Sequence, residues 1–135
     1  MKLINLTNKQ LEDIESRLED YDKEYTKNDL EGTIRIGIKD DNGNIIAGLD
    51  AVVTTFKILY VSTLFVDEKY RRQGIGTQLI KEMELRAKKL GVNTIRLDTF
   101  DWQGKDFYKA VGYELVGNYS NTEDGYAEYF FLKRI

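Results

Sequence analysis

Residues 66–91 read VDEKYRRQGIGTQLIKEMELRAKKLG. An apolar segment ends at Val66, Arg71 and Arg72 follow, and Gly74 and Gly76 then open a periodic run. In that run Ile75, Leu79, Ile80, Met83, Ala87 and Leu90 fall on one arc of a helical wheel, while Leu85 falls off it. The stretch predicts a strand, a glycine-rich turn and a helix over 74–90, closed by Gly91 as the residue past the helix end. Glu84 and Lys88 stand four apart, the spacing of an ion pair on one helix face. A helix N-terminus carries unpaired N–H groups and roughly half a positive charge. Glycines there admit a phosphate to the backbone with no Cβ in the way, and Arg71, Arg72 and Gln73 add donors just ahead of it. Geometry alone leaves two readings: a phosphate or diphosphate site, or a tight strand-to-helix connection that holds no ligand.

Around this unit the periodicity alternates between strand and helix. Upstream, residues 8–27 predict an amphipathic helix, with Thr7 and Gln10 spaced for a capping box and Asn8 as an alternative cap. Its apolar stripe is Leu11, Ile14, Leu18, Tyr21 and Tyr25, which predicts packing on the domain. The acids between them, Glu12, Asp13, Glu15, Glu19 and Asp20, form either a solvated face or a wall that attracts cations to an entrance. TIRIGIK (33–39) alternates, DDNG (40–43) supplies hairpin chemistry, and residues 45–56 return. KILYVSTLFV (57–66) is nearly all apolar, which predicts a strand buried on both faces. Downstream come a strand over 93–100, a short helix over 104–112, and an antiparallel pair over 113–120 and 127–135 joined by NTEDG. The strand–helix–strand unit requires a parallel pair with a right-handed crossover, and the hairpins require antiparallel neighbours. The class is α/β (α+β) with a mixed sheet, and 135 residues form one domain, 1–135.

Composition removes several chemistries. The chain has no Cys and no His, so thiolate nucleophiles, disulfides and His-based triads are excluded. Proton transfer falls to Asp, Glu, Tyr, Lys or water. The net charge of −3 fits a cationic substrate better than a nucleic acid. No run approaches the ~20 apolar residues of a membrane span, and no long apolar leader opens the chain, so the expected location is cytoplasmic, with no membrane partner. Known nucleotide motifs do not fit the turn. Gly104-Lys105 is followed by Asp106 rather than Ser or Thr, and Leu79 stands where a dinucleotide fingerprint needs its third glycine.

Val66, Arg71, Gly74 and Gly76 match the form V-x(4)-[RQ]-x-x-G-x-[GA], and Phe107, Tyr108, Gly112 and Tyr113 match F/L-Y-x-x-x-G-[FY]. Together, in this order, they resemble the GNAT N-acetyltransferase superfamily over roughly residues 45 to 119. RLDTFDWQGKDFYKAVGYE (96–114) is similar to a bacterial subgroup of small acetyltransferases of mostly unassigned substrate. The resemblance implies a mostly antiparallel central sheet with a splayed parallel pair, flanked by helices. It implies acetyl-CoA as cosubstrate, no metal, and a small-molecule amine or a peptide as acceptor, in a monomer or homodimer. Residue by residue, it implies that the N–H groups of Arg72, Gln73, Gly74, Ile75 and Gly76, with Thr77, cradle the diphosphate. Arg71 or Arg72 adds charge, and the main chain of Leu64, Phe65 and Val66 pairs with the pantetheine arm. Tyr108 protonates the leaving thiolate, and a backbone N–H such as that of Val66 receives the carbonyl oxygen.

Two departures follow. Several members of the superfamily carry a carboxylate on the central strand, where this chain has Tyr60-Val61-Ser62-Thr63. The base is therefore open among Asp98, Glu128, Asp50 and a water chain. Asp101 or Trp102 stands where an asparagine is usual. A non-catalytic acyl-CoA-binding or sensing domain of the same fold is the alternative reading.

Overall fold

The computed structural model describes residues 1–26 and 30–135. In chain order the elements are α1 (Asn8–Asp22), β1 (Thr33–Lys39), β2 (Ile45–Val53), β3 (Ile58–Val66), α2 (Ile75–Leu90), β4 (Thr94–Phe100), α3 (Lys105–Ala110), β5 (Glu114–Asn121) and β6 (Tyr126–Arg134), with one 3₁₀ turn at Glu68–Tyr70. The six strands form one sheet in the order β1-β2-β3-β4-β6-β5. Every neighbouring pair is antiparallel except β3 and β4, whose parallel pairing the α2 crossover produces.

One face of the sheet holds the core. Leu79, Ile80, Met83 and Ala87 of α2 are buried there with Ala51, Leu59, Ile95, Leu97 and Phe131. Gly91 ends α2 in the left-handed region at φ 99°, as its position past the helix predicts. The expected Glu84–Lys88 pair does not form. Glu84 instead reaches across to Lys133 on β6, whose ammonium donates to it at 2.9 Å, and to Tyr113 just before β5, whose hydroxyl donates at 3.2 Å. The half-buried carboxylate takes the partner that shares its burial.

The other face is open to solvent at Ser62, Arg96 and Phe130. This corrects two expectations. β3 is buried on both faces nowhere beyond Val61, because no helix among the described residues lies over its second side. And α1, although its Thr7–Gln10 capping box forms, buries none of its side chains. The stripe from Leu11 to Tyr25 faces solvent. α1 also stops at Asp22, short of the expected end, and Lys27 lies outside the described residues.

The splay that positions the site has a local cause. Asp50 pairs with Thr63 but Ala51 pairs with Val61, so Ser62 is an extra residue, a β-bulge that bends β3. The parallel ladder covers only Ile58–Tyr60 against Thr94–Arg96. Beyond it the two strands run on, to Val66 and Phe100, without pairing.

Candidate active site

The divergence of β3 and β4 opens a cavity of ≈ 470 Å³ lined by Leu64, Val66, residues 70–72, residues 74–77, Phe107 and Tyr108. Its two ends are built differently. At the mouth, Arg72 at φ 63° and Gly74 at φ 80° both take left-handed backbone, so the chain turns sharply into α2. The first intrahelical acceptance is Gln78 N–H to the Gly74 carbonyl at 3.0 Å. Among the described residues, none of the backbone N–H groups from Arg72 to Thr77 finds a protein acceptor. Six consecutive donors at a helix N-terminus form a concave nest suited to an anion.

The two glycines serve different ends. A Cβ on Gly74 would meet open space, so that position is glycine for its positive φ and leaves the backbone clear. A Cβ on Gly76 would lie 3.2 Å from the Phe107 ring. A side chain at Gly76 would therefore press α2 against α3 at the Phe107 ring. Arg71 is held in place by the strand before it. Its Nε donates to the Val66 carbonyl at 2.9 Å and its guanidinium lies 5.7 Å over the Phe65 ring, while Arg71 and Arg72 both line the cavity.

Along the cavity wall the main chain of β3 alternates. Asp67 donates to the Ile46 carbonyl at 2.8 Å on β2, so the peptides of Val66 and Leu64 turn toward the unpaired edge. Phe65 alternates the other way and faces Gly48 across the ladder. Of the three residues expected along a pantetheine arm, Leu64 presents its main chain to the gap and Val66 its N–H, the Val66 carbonyl being taken by Arg71.

At the inner end stands Tyr108, only 8% exposed, with edge contacts to Phe107 and Tyr113. Burial, with a smaller contribution from the Asp98 charge, pushes its hydroxyl up to about 12. No hydrogen bond to protein engages that hydroxyl among the described residues, and the side chain lines the cavity. It is a neutral donor over the whole physiological range.

Asp98 and Glu128 lie on the open face, on neighbouring strands, where Asp98 pairs with Phe130 and Phe100 with Glu128. The Tyr60 hydroxyl donates to Asp98 at 2.9 Å, bridging β3 and β4 where their ladder ends. Burial and that bond raise the Tyr60 phenol, and the Arg96 guanidinium caps its ring at 4.5 Å. Tyr119 donates to Glu128 at 2.7 Å. Asp50 is engaged by Arg35 at 2.9 Å and lies on β2, one strand further from the gap. The structure thus brings Asp98 within electrostatic reach of Tyr108, puts Glu128 beside Asp98, and holds Asp50 apart. Tyr60 went unread in the sequence, because an aromatic inside an apolar run looks like core. Asp101 accepts from the Ala127 N–H at 3.2 Å, and Trp102 stacks on Phe100 at 4.8 Å. Among the described residues no three acids cluster as a metal site, and no helix is long and apolar enough to cross a membrane.

A mixed sheet split at one parallel pair, with an anion nest at the mouth of the split, defines the acetyltransferase architecture that the motifs resemble. The family model described as Acetyltransferase (GNAT) family matches residues 2–113, and the chain belongs to that family. It is similar to a blasticidin-S acetyltransferase from Streptomyces morookaense, 30% identical over 70% of either chain. It is similar in structure to an acetyltransferase from Bacillus cereus, with a TM-score of 0.91 at 30% identity over 100% of this chain and 98% of that one. A streptothricin acetyltransferase from Bacillus anthracis, in complex with acetyl coenzyme A, shares the fold at TM-score 0.63 and 22% identity over 69% of this chain and 57% of that one.

Proposed function

We propose that this chain transfers an acetyl group from acetyl-CoA directly to a primary amine of a small molecule or peptide. The observation that carries the reading is the run of unpaired N–H groups from Arg72 to Thr77, continuous with the Leu64 peptide and Val66 N–H on the β3 edge and ending at Tyr108. The nest has the donors for a diphosphate, the edge has those for an amide-bearing arm, and the distance from mouth to Tyr108 is the length of the cavity. The names of the relatives, which include antibiotic acetyltransferases, support a soluble amine as acceptor.

The residues divide the chemistry. The amine reaches the gap from the open face, where Asp98 takes a proton from its ammonium form, with Glu128 as the neighbouring carboxylate. The freed nitrogen attacks the thioester carbonyl while the Val66 N–H, turned to the gap, receives the developing negative charge on oxygen. As the C–S bond breaks, Tyr108 gives its proton to the sulfur, the nitrogen releases its second proton to water to become the amide, and Tyr108 is reprotonated from solvent. No Cys exists to carry an acetyl group, so transfer is direct.

Thiol release from acetyl-CoA is measured over a panel of polyamines, aminoglycosides, nucleoside antibiotics, amino acids and peptides. Turnover with any of them supports the enzyme. Calorimetric CoA binding with no turnover across the panel replaces it with an acyl-CoA-binding domain, and absence of CoA binding overturns both.

A further inference from the structure

The open face meets the gap at Asp98, and one strand further from the gap stands Glu128. The reaction proposed above uses Asp98 on the attacking amine and leaves Glu128 without a step of its own. Glu128 is set among aromatic rings. Register puts Phe100 on one side of it and Tyr119 on the other, and strand alternation puts Tyr126 and Phe130 on the same face, two residues away in each direction. The rings touch one another. Tyr126 stands edge-on to Phe100 at 5.6 Å and to Tyr119 at 6.3 Å, and Phe130 lies 6.1 Å from Tyr119. Tyr119 and Phe130 stay exposed at 44% and 37% and Glu128 is half-buried, so the frame is open to an incoming molecule. The Tyr119 hydroxyl donates to one carboxylate oxygen, and among the described residues no hydrogen bond reaches the other.

We propose that Glu128 and this frame form a subsite for a second, non-reacting cationic group of the acceptor, an ammonium or guanidinium separated by about four to six atoms from the amine that is acetylated. The inference rests on the acetyl-transfer reading of the gap and names the class of acceptor that the gap admits.

Charge and chemistry select the cation. Among the described residues no ion pair engages Asp98 or Glu128. The basic side chains nearby are taken up elsewhere. Arg96 lies over the Tyr60 ring at 4.5 Å, and in register Asp98 stands between it and Glu128. Arg35 pairs with Asp50 across β1 and β2. Lys105 lies over the ring of Tyr129, which alternates to the helix-covered face. Glu128 is thus a carboxylate with no cation of its own and rings around it. The ring faces attract a cation, and their apolar walls suit an organic one better than a hydrated metal ion.

Spacing sets the distance between the two charges. Asp98 pairs with Phe130 and Phe100 with Glu128, so the two carboxylates are diagonal neighbours. Such neighbours stand about 7–8 Å apart. An extended chain advances about 1.2 Å per bond, so about five atoms between the two nitrogens bridge that span. The Tyr60 phenol, raised by burial and by Asp98, is raised further by the Glu128 charge, which places both carboxylates in one locale.

Three acceptors of one length test the subsite: the five-carbon terminal diamine, the amino alcohol that replaces one of its amines by a hydroxyl, and the diamine trimethylated at one end. Thiol release from acetyl-CoA gives kcat and KM for each, and calorimetry with CoA present gives their binding. The diamine is expected to exceed the amino alcohol at least about tenfold in kcat/KM, through KM. The trimethylated diamine should match the diamine within about threefold, because rings hold a methylated cation that cannot hydrogen-bond. Glu128→Gln should bring the ratio of diamine to amino alcohol to within about twofold of unity, and Tyr126→Leu should weaken the trimethylated acceptor most. A Glu128→Gln enzyme that loses the same factor with both acceptors, keeping their ratio, overturns the subsite while acetyl transfer stands. So does a wild type that uses the two equally. If CoA binds but no acceptor turns over, the transfer reading fails and calorimetry decides the subsite alone. Diamine binding at least about tenfold tighter than that of the amino alcohol, and lost in Glu128→Gln, then supports it. Equal or absent binding overturns it.

Discussion

Replacing Tyr108 by Phe separates its two roles, because the ring keeps its contacts with Phe107, Tyr113 and Phe131 and only the hydroxyl goes. A positioned general acid is worth typically ~10²–10⁴-fold, and a thiolate, being a good leaving group, needs the lower end. We expect kcat to fall about 100-fold. KM for acetyl-CoA should stay within about twofold, because the diphosphate nest at 72–77 is untouched. The stability of the fold supplies a second readout. The hydroxyl titrates near 10 in the unfolded chain and is pushed up to about 12 by burial and by Asp98. Its folded value is raised, so its contribution is fully present below pH 10 and is lost as pH rises toward 12. Between those limits the native state binds the extra proton, and stability falls by up to about 3 kcal/mol. Desolvation dominates the shift and the residue is largely buried, so little discount for screening applies. Thermal melts from pH 8 to 11 should show a steeper alkaline decline for the wild type than for Tyr108→Phe. Thiol-release rates should show no basic limb from this group below about pH 11. A Tyr108→Phe enzyme with wild-type kcat would refute the donor role outright. Parallel alkaline melts for the two proteins would refute the burial argument beneath it.

Three further outcomes test other parts of the structure. Gly74→Ala forces a side chain onto φ 80°, at about 1–2 kcal/mol, and re-aims the donors beside it; CoA affinity by calorimetry should drop at least about tenfold, though no atom obstructs the new methyl. Gly76→Ala instead presses a methyl against Phe107 at 3.2 Å, and the melting temperature of the free protein should fall by the equivalent of about 1–3 kcal/mol, with CoA affinity affected less than in Gly74→Ala. Lys133→Met strips the partially buried Glu84 of its cation and leaves it only the Tyr113 hydroxyl, which should cost about 2–3 kcal/mol in urea unfolding, more than Glu84→Gln with Lys133→Met together.

The elements were legible because each carried a local signal. Gly91 marked a helix end, Asp40 and Asn42–Gly43 a hairpin, and the arc from Ile75 to Leu90 a face. What stayed illegible depends on residues far apart in the chain. Glu84 has two basic neighbours in reach, Lys88 four residues on and Lys133 on the last strand, and only the fold decides for the latter. Nothing in the sequence shows that Arg71 also ties its Nε back to the Val66 carbonyl. The bulge at Ser62 has no sequence mark at all, yet it sets where β3 leaves β4. The stripe on α1 was read correctly as apolar and wrongly as packed, since periodicity reports that a face wants covering and not which molecule covers it.

The sheet's two faces explain why the site's residues look unrelated in sequence. In the proposed reaction the helix-covered face serves the thioester donor with the nest before α2, the Leu64 peptide and Val66 N–H, and the buried phenol of Tyr108. The open face supplies what an ammonium acceptor requires, carboxylates already oriented by hydroxyls, Asp98 by Tyr60 and Glu128 by Tyr119. A sheet normally keeps such faces apart. Here the gap beyond Tyr60 and Arg96 joins them, and the Asp98 charge is felt by Tyr108 across it. In the proposed reaction the carboxylate that attracts the amine also raises the Tyr108 hydroxyl, which burial alone already keeps protonated. Asp98→Asn should accordingly lower activity through the amine alone, since burial keeps Tyr108 protonated without it, and it should do so without loss of CoA affinity, because no part of the nest lies on β4.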